Sequence, residues 1–172
     1  MIEKYCYGNN AANCAIYGGL YEWKEAMQYV TTEGAKGICP EGWHIPTDSE
    51  IKILEGTVDS QYPVGDPVWD NLGWRGLDAG GNLKEEGTTH WNPPNTGATN
   101  SSGFTALPAG YRYQPNGTFS SIGNGNQIWC SSEYVSNTTF SWSRNMIWTS
   151  SQISRYFIHK ETGISVRCLK DL

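Results

Sequence analysis

"CPEGWHIPTDSE", residues 39–50, packs a cysteine, two prolines, a tryptophan, a histidine and three acidic side chains into twelve positions. It reads either as a reactive site built on Cys39 and His44 or as a structural corner. Residue by residue, the corner prevails. Pro40, Gly42 and Pro46 turn the backbone. "TDSE" (47–50) has the form of a capping box: the Thr47 hydroxyl can accept from the Glu50 N–H while the Glu50 carboxylate reaches back. A helix should therefore start at Thr47, with Ile51, Leu54 and Val58 facing the core and Gly56 weakening the last turn. Trp43 is expected to plug the core. His44 has no second histidine at helical spacing, so a structural hydrogen bond is its favoured role.

Working outward, "LYEWKEAMQYVTT" (20–32) reads as a second early helix. Leu20, Trp23, Met27 and Val30 recur at three- and four-residue steps and give one apolar face, with Gly34 and Gly37 beyond its end. After residue 60 helix signals stop. "QYPVGDPVWDNLGWRGLDAGGN" (61–82) and "HWNPPNTGATNSSGF" (90–104) are long and irregular, a length that needs ordering by function or by packing. Strand signals follow at 104–113, 127–134, 140–149, 154–160 and 164–170, with turns at "PNGT" (115–118) and "ETG" (161–163). Helices early and an antiparallel sheet late make an α+β chain.

The chain has 172 residues, enough to bury a core as one domain over 1–172. Net charge is -5 and the Lys and Arg residues are scattered, so no nucleic-acid footprint is present. No apolar run approaches the ~20 residues of a membrane span. Charged residues are only 17% of the chain, low for a cytosolic enzyme, while 8 Trp and 10 Tyr supply rings for packing or for polar ligands. The start "MIEKYCYGNN" is not a signal peptide, so the chain is either cytosolic or a domain excised from a longer exported protein.

Cys6, Cys14, Cys39, Cys130 and Cys168 lack the paired C-x-x-C spacing of a zinc site. Disulfides fit better and imply an oxidising compartment. Connectivity does not follow from spacing. The pairing adopted is Cys6–Cys14 as a local loop and Cys39–Cys168 as a staple closing about 130 residues, worth ~5 kcal/mol in the chain-entropy model. Cys130 is then left over, as a buried thiol beside Trp129 or a reactive one.

Several stretches together resemble one bacterial family. "NCAIYGGLYEW", "CPEGWHIPTDSE", "GGNLKEEGTTHWNPPNTGATNSSGFTALPAGYR", "WCSSE" and "GISVRC" look like the Fibrobacter succinogenes major paralogous domain, over about residues 5–170. The resemblance implies a C-type-lectin-like fold, shared with the formylglycine-generating enzymes, with a twisted antiparallel sheet threaded by long loops. It also implies a disulfide joining an early helical region to the last strand, in agreement with Cys39–Cys168. It places such domains on exported, often lipid-anchored proteins, hence a secreted or outer-surface location. Ile51 and Cys130 stand where the family often has Trp, and 61–76 looks particular to this chain.

The candidate chemistry is thin for catalysis. The cysteine pair of the formylglycine-generating enzymes is not matched, since Cys130 stands alone, and no catalytic residue carries over. A sugar-binding calcium is poorly served: "WNPPN" (91–95) and "YQPNG" (113–117) lack an adjacent carboxylate. No cofactor is called for, although Asp66, Asp70 or Asp78 could serve a structural calcium. Ligand binding is better supported. Glu133, Trp142, Arg144, Asn145, Trp148, Arg155, Tyr156 and His159 interleave rings with hydrogen-bonding groups, the chemistry of glycan recognition. The expectation is a non-catalytic extracellular or cell-surface module binding a glycan or a surface protein. The rivals are a formylglycine-generating-type oxidase using Cys130 and a purely structural domain of a surface protein.

Overall fold

The computed structural model describes residues 2–172. In chain order the elements are α1 (Ala11–Tyr17), α2 (Trp23–Ala26), β1 (Trp43–His44), α3 (Asp48–Val58), β2 (Gly73–Arg75), α4 (Ala79–Leu83), β3 (Ala109–Arg112), β4 (Phe119–Ile122), β5 (Gly125–Glu133), β6 (Phe140–Ile147), β7 (Ile153–His159) and β8 (Leu169–Lys170). The chain is α+β, as its element order suggested. The main sheet has six strands in the order β2-β7-β6-β5-β3-β4, and β1 pairs separately with β8. It is mixed rather than wholly antiparallel, because Gly110 on β3 pairs with Asn126 on β5 in parallel.

The capping box forms as its sequence dictates: Thr47 Oγ accepts from Glu50 N, and the Glu50 side chain accepts from Thr47 N at 2.8 Å. Gly56 has a different role from the one expected. A Cβ there would lie 2.6 Å from the Val64 backbone, so the glycine lets the following loop cross the helix closely. The other early helix is much shorter than 20–32. Trp23–Ala26 makes one turn, after which Gln28 and Tyr29 take positive φ (52° and 62°) and the run Val30-Thr31-Thr32 disfavours helix. Leu20, Trp23 and Met27 are buried nonetheless, while Val30 is exposed. The helix α1 was not foreseen; Asn10 caps it.

Both disulfides are formed, Cys6–Cys14 and Cys39–Cys168. Trp43 does not plug the core. It is 37% exposed, while Ile45 two residues on is fully buried. His44 sits between two carboxylates, Nδ1 at 2.6 Å from Asp171 Oδ1 and Nε2 at 3.1 Å from Glu50 Oε1. These partners raise its pKa against the opposing effect of burial, which is the largest single influence.

The buried apolar residues form two larger clusters, one around Trp23 and Trp129, the other around Trp69, Leu83, Trp91, Met146 and Ile153, and a smaller one of Ile51, Ile128 and Cys130. The long loops are ordered by packing and by polar hubs, one half-buried and one fully buried. Asp59 accepts five backbone N–H bonds, from Gln61, Tyr62, Leu77, Asp78 and Ala79. Lys84, fully buried, donates to the carbonyls of Thr96, Ile147 and Ser150.

Candidate functional site

On β6, Arg144 and Asn145 are consecutive and so point to opposite sides of the sheet. Arg144 faces α3. It is 0% exposed, with Nε at 2.7 Å from Glu55 Oε1 and Nη1 at 2.9 Å from Asp48 Oδ1. Arg155, its register partner on β7, grips Asp48 through Nε (2.9 Å) and Nη2 (2.7 Å). Arg75 completes the network on Glu55 Oε2. Despite the cost of burial, the arginines hold the Asp48 carboxyl down at about 2.

Asn145 faces the other way, into an open groove made of two depressions, ≈ 190 and ≈ 550 Å³, that share Tyr111, Ser121, Gln127 and Asn145. Asn124 and Trp148 extend the smaller one. Tyr113, Phe140 and His159 line the larger. Gln127 and Asn145 are register partners across β5 and β6, so their amides stand side by side on the groove floor. The lining combines rings, amides and hydroxyls, with His159 the sole titratable group besides tyrosine phenols among the described residues that form it. It can stack on an apolar ring face and exchange hydrogen bonds with neutral hydroxyls, and it offers no pair for a strong charge.

The eight expected ligand residues therefore divide. Asn145, Trp148 and His159 come together in the groove. Arg144 and Arg155 are corrections: both are buried and already paired, because an unpaired guanidinium there would be prohibitively costly. Glu133 is taken by an ion pair with Lys160, whose Nζ lies 3.9 Å from the Trp23 ring centre. Trp142 stacks on Arg155 at 3.6 Å and, with Tyr134, Phe140, Tyr156, Phe157 and His159, joins an aromatic cluster at the end of β6 and β7. Tyr156 is 50% exposed on that cluster. Tyr111, Tyr113, Ser121, Asn124 and Gln127 are groove residues that the sequence did not single out. The density of amides in "GNGNQ" (123–127) was the available signal.

Cys130 is enclosed at 0% exposure, 3.7 Å from Arg144 Nη1, and burial pushes its thiol up to about 12. Nucleophilic cysteines need accessibility and a low pKa, and Cys130 has neither. Asp66, Asp70 and Asp78 are separately employed: Asp66 accepts from Val68 N, Asp70 pairs with Lys52, and Asp78 accepts from Ser60. No group of three or more His, Cys, Asp or Glu among the described residues is placed to hold a metal ion.

The family model of the Fibrobacter succinogenes major domain matches residues 1–170. The chain belongs to that family. Its matched span takes in both disulfides, the buried charge network and the groove, so scaffold and candidate site lie within one Fibrobacter succinogenes major domain. No curated protein and no solved structure matches the chain. No helix of the described residues is long and apolar enough to cross a membrane.

Proposed function

We propose that this domain is a non-catalytic binding module working outside the cell, and that its groove takes a neutral, hydroxyl-rich glycan. The observation that carries the reading is the groove's lining: Tyr111, Tyr113 and Trp148 supply ring faces, Gln127, Asn145 and Asn124 supply paired donors and acceptors, and no carboxylate, lysine or arginine is among them. Amides serve hydroxyl groups well because each offers donor and acceptor together. An anionic sugar would find no cationic partner. Two disulfides favour an oxidising, extracellular setting, whether on a secreted chain or a lipid-anchored one. We read the fold as C-type-lectin-like, on the strength of the long-range Cys39–Cys168 staple and loops packed over a twisted sheet. The buried, high-pKa Cys130 weighs against an oxidase that would use it.

The test is a glycan array probed with the intact domain, followed by titration of a retained neutral glycan against wild type and Asn145→Ala. Retention of a neutral glycan, weakened roughly tenfold by the substitution, is expected for the loss of a good amide hydrogen-bond pair. If no glycan is retained, a protein partner or a purely structural role replaces this reading. Binding that Asn145→Ala leaves untouched removes the groove from it.

A further inference from the structure

A second pocket, of about 330 Å³, lies away from the groove, between the end of α1, the 104–107 segment and the 165–168 segment. Tyr17, Tyr21 and Phe104 contribute its ring walls, and Arg167 is the only charged side chain among the described residues lining it. Of the five arginines, Arg75, Arg112, Arg144 and Arg155 each have a carboxylate within 4.0 Å. Arg167 is the exception among the described residues: its Nη2 donates to the Phe104 carbonyl, and its guanidinium lies 4.6 Å from the Phe104 ring centre. Held against a ring and aimed along a pocket wall, it keeps donors free for a fork-shaped anion.

The pocket's walls carry a second deficit. Four buried side-chain polar atoms among the described residues lack a hydrogen-bond partner, and two of them, Asn126 Oδ1 and Ser165 Oγ, belong to residues lining this pocket. The Asn126 amide is oriented by its Nδ2, which donates to Leu107 O at 2.6 Å, so the oxygen is the atom left without a donor. Both atoms are closed off from solvent, so a ligand's polar group meets them only when the Asn126 or Ser165 side chain turns toward the pocket. The volume is at the small end of ligand pockets, suited to one ring with a substituent or two rather than to a polymer.

We infer that this pocket binds a small monocyclic carboxylate bearing a hydroxyl, with the carboxylate on Arg167, the ring against Tyr17, Tyr21 and Phe104, and the hydroxyl offered toward Asn126 and Ser165. The groove plays no part in it. Both disulfides brace the site: Cys14 lies on α1 beside Ile16 and Tyr17 of the wall, and Cys168 lines the pocket itself.

The experiment titrates 4-hydroxybenzoate and its neutral isostere 4-hydroxybenzamide into the intact domain by calorimetry and by amide NMR. Wild type is compared with Arg167→Gln and with Tyr17→Ala. The acid should bind, shifting the Ser165 and Asn126 amides, and should exceed the amide in affinity by roughly tenfold, as a charge-assisted hydrogen-bond pair implies. Arg167→Gln should abolish that preference without lowering the melting temperature, since the side chain is partly exposed and unpaired. Tyr17→Ala should weaken both compounds alike. Equal affinity for acid and amide, an undiminished preference in Arg167→Gln, or no saturable shift at millimolar acid would each overturn the inference and leave a pocket filled only by water.

Discussion

The two sides of the same strands use opposite chemistry. On the α3 side, Arg144 and Arg155 are locked with Asp48 and Glu55 in a network almost sealed from water. On the other side, one residue further along β6, Asn145 stands in an open groove whose lining carries no carboxylate, lysine or arginine. Buried charge tolerates little movement, because each ion depends on its partners for the solvation it has lost. It therefore suits a device that fixes where α3 sits on the sheet. Neutral amides and rings lose little when water leaves them and another polar group arrives, which suits a surface that must exchange partners. A charged residue on β6 or β7 is thus better evidence for scaffold than for site.

The contrast breaks most visibly at Arg144. Arg144→Ala should cost roughly 3–5 kcal/mol, since it takes one of two arginine partners from each of the buried Asp48 and Glu55 carboxylates and opens a cavity. Denaturant unfolding checks this. A loss below about 1 kcal/mol would mean that the network does not hold α3 to the sheet.

Acid attacks the same network without mutation. The Asp48 carboxyl has a pKa of about 2 against an ordinary 3.8, so the unfolded chain binds its proton more readily than the folded one. Its stabilisation is complete above the unfolded value and is lost as pH falls from about 4 towards 2. The size is roughly 2 kcal/mol, from about 1.4 kcal/mol per pKa unit. Unfolding free energy measured across that interval should fall more steeply for wild type than for Asp48→Asn, already weakened at neutral pH. Parallel slopes would sink the assignment.

A smaller effect is expected where the network meets the helix start. Thr47→Ala removes the side-chain acceptor for Glu50 N, one half of the capping box, and should cost about 1 kcal/mol. Thr47→Ser should recover most of it, as a serine can make the same bond, with thermal unfolding as the readout. Failure of serine to recover stability would point to packing of the Thr47 methyl instead.

How far the sequence discloses these two sides differs for a physical reason. The capping box, the α+β order and the strands at 127–134, 140–149 and 154–160 follow local rules, and they are readable from "TDSE" and from short runs bounded by turns. The charge network is not local: Asp48 meets Arg155 across 107 residues, and nothing in "FSWSRNMIWT" marks Arg144 as an inward residue. Alternation alone puts Arg144 and Asn145 on opposite sides but leaves open which side α3 covers. The groove was half legible for the same reason. Asn145, Trp148 and His159 sit on strands or turns already identified as candidates. Gln127 stands beside Asn145 through the β5–β6 register, whereas Tyr111 is brought there by the β3–β5 crossing, a parallel pairing that no run of residues announces.

The finest test uses neighbours one peptide apart. Asn145→Ala should change stability by no more than about 0.5 kcal/mol, because its side chain makes no hydrogen bond among the described residues, whereas Arg144→Ala next to it should be the most damaging of these substitutions. The same substitution should cost the groove its Gln127–Asn145 amide pair and lower affinity for a bound neutral glycan roughly tenfold. Chemical unfolding and ligand titration on one preparation give both quantities. If Asn145→Ala destabilises the fold as much as it weakens binding, the groove is structural and the division between the two sides of the sheet fails. If stability holds while affinity drops, the division passes between residues 144 and 145.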